Sequence, residues 1–251
     1  MPTALITGPT SGIGAAFARR LAADAFSLVL VSRDDKRLAE TADQLRLRYG
    51  VNVEVLAADL ATDEGLARVE SRLRDGDPVD LVVNNAGFGH AGNFPDVPAE
   101  DEVRMLKVHC EAVLRLTLAA LPGMRERDRG AIVNVASAAA FFTRGTYGAS
   151  KAWVVSFSEA AANAVANPRI KIMALCPGFV RTEFHQRAAM DTSGIPGFLW
   201  LKADDVVRAG MRDLALGKRV SIPDVRYKTI VAVGRLVPRG IQARVSARIG
   251  R

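Results

Sequence analysis

Short apolar runs recur along this chain, each followed by a longer stretch of helical periodicity, and that alternation leaves few folds open. Residues 3–7, 27–31, 51–56, 79–83, 131–135 and 170–175 read as strands, several of them continuously apolar, as strands buried on both faces are. Between them the pattern predicts helices over residues 15–25, 34–49 and 63–74. A long helix follows over 99–121, ended by Pro122 and Gly123, and then a helix carrying Tyr147. Strands alternating with helices of ten or more residues mean βαβ units and a mainly parallel sheet, and right-handed crossovers put helices on both faces. With 251 residues, 49% of them hydrophobic, and no repeat, low-complexity tract or linker, the expectation is one doubly wound α/β domain.

The turn between the first strand and the first helix reads Thr7-Gly8-Pro9-Thr10-Ser11-Gly12-Ile13-Gly14. Small residues there let the backbone approach a pyrophosphate, and the helix start offers unpaired N–H groups and a positive dipole end. In a strand–turn–helix context this points to a dinucleotide and to the Rossmann fold; a glycine-rich turn without a ligand is the bland alternative. The second strand ends Val31-Ser32-Arg33. An acidic residue there would bind the ribose 2′-hydroxyl of NAD, whereas a guanidinium suits a 2′-phosphate, so NADP(H) is favoured over NAD(H) unless Arg33 is simply solvated.

Tyr147 and Lys151 stand four apart, on one face of their helix. A free tyrosine titrates near pH 10, and a neighbouring ammonium favours the phenolate, making Tyr147 a candidate proton donor or acceptor. Alone, such a pair is more often surface decoration.

Taken together the motifs resemble those of the short-chain dehydrogenase/reductase family, in its compact form. They are TGxxxGIG at 7–14, Asp59-Leu60 after strand three, Asn84-Asn85-Ala86-Gly87 after strand four, and Asn134-Val135-Ala136-Ser137 on strand five. Tyr147-x-x-x-Lys151 and Pro177-Gly178-Phe179-Val180-Arg181-Thr182 complete the set, in family order, over roughly residues 3–222. The resemblance implies a cofactor site from Gly8, Thr10, Ser11, Gly12, Ile13 and Gly14. It implies that Asp59, beside Leu60, holds the adenine edge, and that Asn84, Asn85, Ala86 and Gly87 wall the cofactor. Lys151 would bind the nicotinamide ribose, with Pro177, Gly178, Val180 and Thr182 lining the nicotinamide. Ser137 would orient a substrate carbonyl while Tyr147 exchanges its proton, with no metal involved. The expected activity is NADP(H)-dependent interconversion of a carbonyl and a secondary alcohol. The rival is a catalytically weak NADP-binding sensor or scaffold.

Two departures from the family pattern stand near the centre. Where the family usually has Asn in the long helix, Val108 is followed by His109, which can serve a proton relay, add a titration near neutral pH, or be purely structural. Ser137 precedes Tyr147 by ten residues rather than about twelve or thirteen, which shortens the loop walling the substrate site.

Residues 183–200 fall where the family keeps a substrate lid. Phe184, Met190, Phe198, Leu199 and Trp200 there suggest a hydrophobic substrate, or else simply pack on the core. The chain's net charge of +7 belongs to its end: residues 218–251 carry nine Lys or Arg against Asp224 alone. The basic segment 223–251, packed on or extending from the domain, can touch an anionic membrane or substrate carrier, or be a solvated surface helix. No DNA-reading motif accompanies the charge, so nucleic acid is not expected. Cys110 and Cys176 lack metal or CxxC spacing, and the start of the chain lacks a basic-then-apolar leader. A cytoplasmic protein, with possible membrane association, is expected, and the family resemblance implies a homodimer or homotetramer.

Overall fold

The computed structural model describes residues 1–90, 94–143, 145–184, 188, 192 and 194–236. Seven parallel strands stand in the order β3-β2-β1-β4-β5-β6-β7. They are β1 Thr3–Thr7, β2 Ser27–Ser32, β3 Val53–Ala57, β4 Leu81–Asn84, β5 Gly130–Val135, β6 Ile170–Leu175 and β7 Val220–Ser221. The six expected strands are present within two residues at each end. The seventh is two residues long, too short to leave a periodic signal; Asp213 holds it by accepting from Ser221 Oγ and Lys218 Nζ, each at 2.7 Å.

Strand side chains alternate between two apolar layers. Ala4, Ile6, Leu28, Leu30 and Val83 pack on helices α1 (Gly12–Ala23) and α2 (Asp35–Tyr49). Leu5, Val29, Val82 and Ile132 pack on α3 (Asp63–Asp75) and α5 (Ala112–Glu126). Sheet order reverses at β1 and β4, where chain connections leave in opposite directions and open a crevice at the carboxyl ends of the strands.

The long helix differs from its expected form in two ways. It is α4 (Ala99–Leu106), a π-helical turn Lys107–Glu111 and then α5, and it runs through Pro122 to Glu126 instead of stopping there. Proline removes a helix hydrogen bond, but stopping at Leu121 would give up the burial of Met124, which is 0% exposed in the core. Beyond it come α6 (Gly145–Val165), α7 (Ala203–Ala215) and α8 (Val225–Leu236). The last two carry buried Val206, Val207, Leu214, Tyr227 and Val231 into the first apolar layer. Of the basic segment, residues 237–251 lie outside the described residues, as does Met190 of the 183–200 stretch.

Candidate active site

The glycine turn is shaped by contacts that exclude side chains. Gly8 and Gly12 have φ of +66° and +57°, in the left-handed region that favours glycine. A Cβ on Gly14 would lie 2.0 Å from the Gly8 carbonyl oxygen and 2.4 Å from Asn85 Nδ2. Asn85 Nδ2 donates to the carbonyls of Thr7 (2.9 Å) and Gly8 (3.0 Å), and Thr7 Oγ1 accepts from the backbone N–H groups of Asn85 and Ala86, both at 2.9 Å. The turn after β1 and the loop after β4 are thus tied to each other across the crevice. Thr10 is half-buried in this turn. The Ser11 hydroxyl makes no capping bond to α1, whose first turn, with Ile13, carries no carboxylate. A positive helix end without an acidic neighbour fits a pyrophosphate.

At the end of β2, Arg33 is exposed. The neighbouring carboxylate of Asp34 is turned to α2, where it accepts from Arg37 N at 3.0 Å. Asp59 accepts from Ala61 N (3.0 Å) and from Arg104 Nη2 (2.7 Å), which fixes its carboxylate in place, while Leu60 is buried in the second apolar layer. Asn84 departs from the expected cofactor wall. It is 4% exposed and donates to Asn134 Oδ1 at 2.8 Å, and Asn134 donates to Ser158 Oγ at 2.9 Å. Its side chain pins the sheet to α6; Asn85, Ala86 and Gly87 are the residues of that motif left at the crevice.

Lys151 is the most constrained member of the candidate centre. It is 5% exposed, and Nζ donates to the Val135 carbonyl at 3.0 Å, at the end of β5. Burial of the ammonium lowers its pKa to about 8, with the Cys110 and Cys176 thiols acting the other way. Nζ stands 5.8 Å from the centre of the Tyr147 ring. That ring also meets His109 edge-on at 5.6 Å between centroids and Phe184 at 5.9 Å. Ser137 follows β5 directly and begins a 3₁₀ turn, Ala138–Phe141, the short loop anticipated from its spacing. Its Oγ accepts from Ala139 N at 3.1 Å, which leaves the hydroxyl proton available to another oxygen.

His109 sits inside the π-helical turn and is 1% exposed. Ser150 Oγ donates to the Tyr147 carbonyl at 2.8 Å, so its contact with His109 Nδ1, 2.9 Å, is an acceptance from Nδ1–H. Nε2 then carries the lone pair that accepts from Phe88 N at 3.2 Å. Both nitrogens are engaged, and the ring joins the loop after β4 to α6. Burial, with the nearby charge of Lys151, pushes its pKa well below the usual imidazole range. This corrects the expected titration near neutral pH: His109 is neutral there. His109→Asn is therefore expected to keep kcat within about threefold, and to leave the rate profile between pH 6 and 8 unchanged. A near-complete loss of turnover, or a vanished inflection in that range, would refute this.

Gly178 and Thr182 lie in the loop after β6, with Pro177 and Val180 buried. Thr182 Cγ2 would lie 3.0 Å from a Cβ on Gly12, so this loop closes over the glycine turn. Of the apolar residues at 183–200, Phe184 reaches Tyr147. Trp200 stacks obliquely on Phe179 at 5.8 Å, Leu199 packs on the core, and Phe198 is 63% exposed.

Residues 2–192 match the family model described as short chain dehydrogenase. The chain belongs to the short-chain dehydrogenase family. A short-chain dehydrogenase from Sphingobium yanoikuyae, solved in complex with NADPH, is 36% identical, covers 93% of each chain and has a TM-score of 0.85. A family member from Burkholderia phymatum, solved in complex with NAD, is 27% identical with a TM-score of 0.81, over 97% of this chain and 95% of that one. D-beta-hydroxybutyrate dehydrogenase from Cupriavidus necator is 32% identical over 229 residues, 87% of this chain and 83% of that protein. The chain spans 60% of the length of the very-long-chain 3-oxoacyl-CoA reductase from Anas platyrhynchos, at 33% identity over 72% of its own residues. This short-chain dehydrogenase is accordingly an oxidoreductase.

Two site features were not legible beforehand. Ser150, the partner of His109, carries no signal beyond its place inside the Tyr147 motif. Tyr227 of α8, which touches Gly178 and Phe179, belongs to the basic segment expected at a membrane, a substrate carrier or the surface and not at the site.

Proposed function

We propose that this short-chain dehydrogenase interconverts a carbonyl and a secondary alcohol on an apolar substrate, with NADP(H) as its cofactor. The observation that carries the reading is Lys151. A nearly fully buried ammonium, one helical turn from Tyr147 and beside a crevice built for a dinucleotide, is costly to keep without a chemical use.

The cofactor would be held by the glycine turn (Gly8, Thr10, Ser11, Gly12, Ile13, Gly14), Arg33, Asp59 and Leu60. Asn85, Ala86 and Gly87 would wall it, with Pro177, Gly178, Val180 and Thr182 at the nicotinamide end. Its nicotinamide supplies or accepts the hydride when bound. The chain's own residues manage the proton and the position. Ser137 hydrogen-bonds the substrate oxygen through its hydroxyl, keeping its own proton, and so orients the carbonyl. In reduction Tyr147 gives its phenolic proton to that oxygen, and in oxidation it takes the proton back. Lys151, protonated at neutral pH, stabilises the phenolate left behind and can bond the nicotinamide ribose. His109 holds the loop after β4 against α6 and takes no proton. A weakly catalytic sensor would need a disabled centre, whereas the structural bonding of His109 leaves Ser137, Tyr147 and Lys151 intact as a set.

Phe184 beside Tyr147 supports an apolar substrate. Arg33, with Asp34 occupied as a helix cap, supports NADP(H). Initial rates on a panel of ketones and secondary alcohols test both points. NADPH is expected to exceed NADH at least tenfold in kcat/KM, and Arg33→Asp to reverse that order; equal rates with both cofactors would reject the preference. Exposed Leu118 on α5 and the stacked Trp153–Phe157 pair on α6 support pairing of two copies through these helices, as dimer or tetramer, which light scattering measures. Among the described residues no helix is long and apolar enough to cross a membrane. Exposed Val225, Val233 and Leu236 on α8, followed in sequence by further basic residues, support peripheral contact with anionic lipid, tested by liposome flotation. The free thiol of Cys110 suits a reducing, cytoplasmic setting.

A further inference from the structure

Helix α8 lies far along the chain from every motif of the site, yet its one tyrosine ends inside it. Tyr227 is 5% exposed. Its phenolic oxygen accepts from Phe179 N at 2.9 Å and donates to the Leu199 carbonyl at 2.8 Å. Its ring lies so close on Gly178 that a Cβ there would fall 1.9 to 2.2 Å from ring atoms. The two segments it bridges are also paired through their backbones. Leu201 N donates to the Phe179 carbonyl at 2.8 Å, Arg181 N donates to the Leu201 carbonyl at 3.0 Å, and Val180 and Leu201 form a parallel bridge. Phe179 and Leu199 therefore belong to one paired base, and the phenol ties its two segments together a second time. Farther along α8, Gly234 sits where a Cβ would be 2.6 Å from Phe142 Cε1, so the same helix also rests on the loop between Ser137 and Tyr147. Arg226 anchors its start, pairing with Asp224 at 2.8 Å and donating to the Phe198 carbonyl.

We propose that Tyr227 is a positioning residue of the active site, setting the place of residues 177–182 and hence how the nicotinamide end of the cofactor is held. Helix α8 is on this view part of the catalytic architecture rather than an appendage. A tyrosine is needed because the base presents one N–H and one carbonyl at once. A hydroxyl serves both, and burial pushes the phenol pKa up, which keeps its proton in place. Phenylalanine would keep the ring on Gly178 and strand both backbone groups. The catalytic consequence rests on the proposed nicotinamide chemistry; the structural one does not.

The test is Tyr227→Phe in the full chain, read two ways. Amide hydrogen exchange without cofactor is expected to quicken about tenfold at Phe179 and across residues 197–201, with β1 to β6 unchanged. In turnover, KM for NADPH is expected to rise about tenfold while kcat falls less than threefold. Gly178→Ala, which displaces the ring, should give the same pattern, and Lys228→Ala on the exposed side of α8 should give neither change. Wild-type exchange and KM in Tyr227→Phe would overturn the proposal. So would global unfolding of both variants, since the phenol would then serve the whole fold. A wild-type protein with no nicotinamide turnover would refute the proposed function, while the exchange result would still decide the role of Tyr227.

Discussion

Tyr147→Phe is expected to reduce turnover by about three to four orders of magnitude while leaving the fold and cofactor affinity nearly untouched. The ring of Tyr147 is held by His109, Phe184 and the Lys151 ammonium, and phenylalanine keeps these ring contacts. Its backbone carbonyl goes on accepting from Ser150, so the His109–Ser150 junction survives as well. What disappears is the proton. Hydride arriving at a carbonyl carbon leaves an alkoxide, and without the phenol the Ser137 hydroxyl is a donor far too weak to neutralise it. The measurement is single-turnover oxidation of NADPH with a saturating ketone, alongside a fluorescence titration of NADPH binding. Affinity within threefold of wild type and a rate down by about a thousandfold are the expected pair. Retention of a tenth of the rate would remove Tyr147 from the chemistry. Joint loss of binding and rate would make its role structural.

The chain alone is legible where one residue type must meet one demand. The left-handed φ at Gly8 and Gly12 and the 2.0 Å approach at Gly14 allow little but glycine, so the turn announces itself in the sequence. The strands do likewise, because burial on both faces needs unbroken apolar runs. What stayed hidden depends on partners distant in sequence. Strand β7 is two residues held by an Asp213 network, with no period to read. Helix α5 passes through Pro122 because Met124 finds a core that local propensity does not encode. Asn84 looks like its neighbour Asn85 on paper. They separate in space because successive residues face opposite sides at the end of β4, one toward Asn134 and the other toward the glycine turn. His109 shows the same limit: residue type suggested a titrating relay, and only Phe88 and Ser150, 21 and 41 positions away, reveal a neutral brace.

Lys151→Met should separate function from stability most sharply, because the two respond in opposite directions. In the folded chain Lys151 has a pKa of about 8, against an ordinary value of 10.5. Below pH 8 it is protonated both folded and unfolded, so the full cost of burying the charge is present. Between pH 8 and 10.5 the folded state sheds the proton first, the unfolded chain binds more protons, and stability from this group rises with pH. The shift corresponds to a burden of about 3 kcal/mol at pH 7, an upper bound because the bond from Nζ to the Val135 carbonyl offsets part of the cost of burial. Methionine fills nearly the same volume without the charge. Its melting temperature at pH 7 should rise by several degrees, about 2 to 4 °C per kcal/mol for a chain of this size, and the difference should shrink as pH climbs through 8 to 10.5. Turnover should move the other way, falling by about a hundredfold or more as the phenolate of Tyr147 loses its counter-charge. In the wild type, kcat/KM should decline above about pH 8, where the free protein's Lys151 gives up its proton. Thermal melts and rate profiles of the two proteins across pH 6 to 10 test all of this together. A methionine variant that is less stable at pH 7, or that turns over normally, would mean that the buried ammonium serves the fold rather than the reaction.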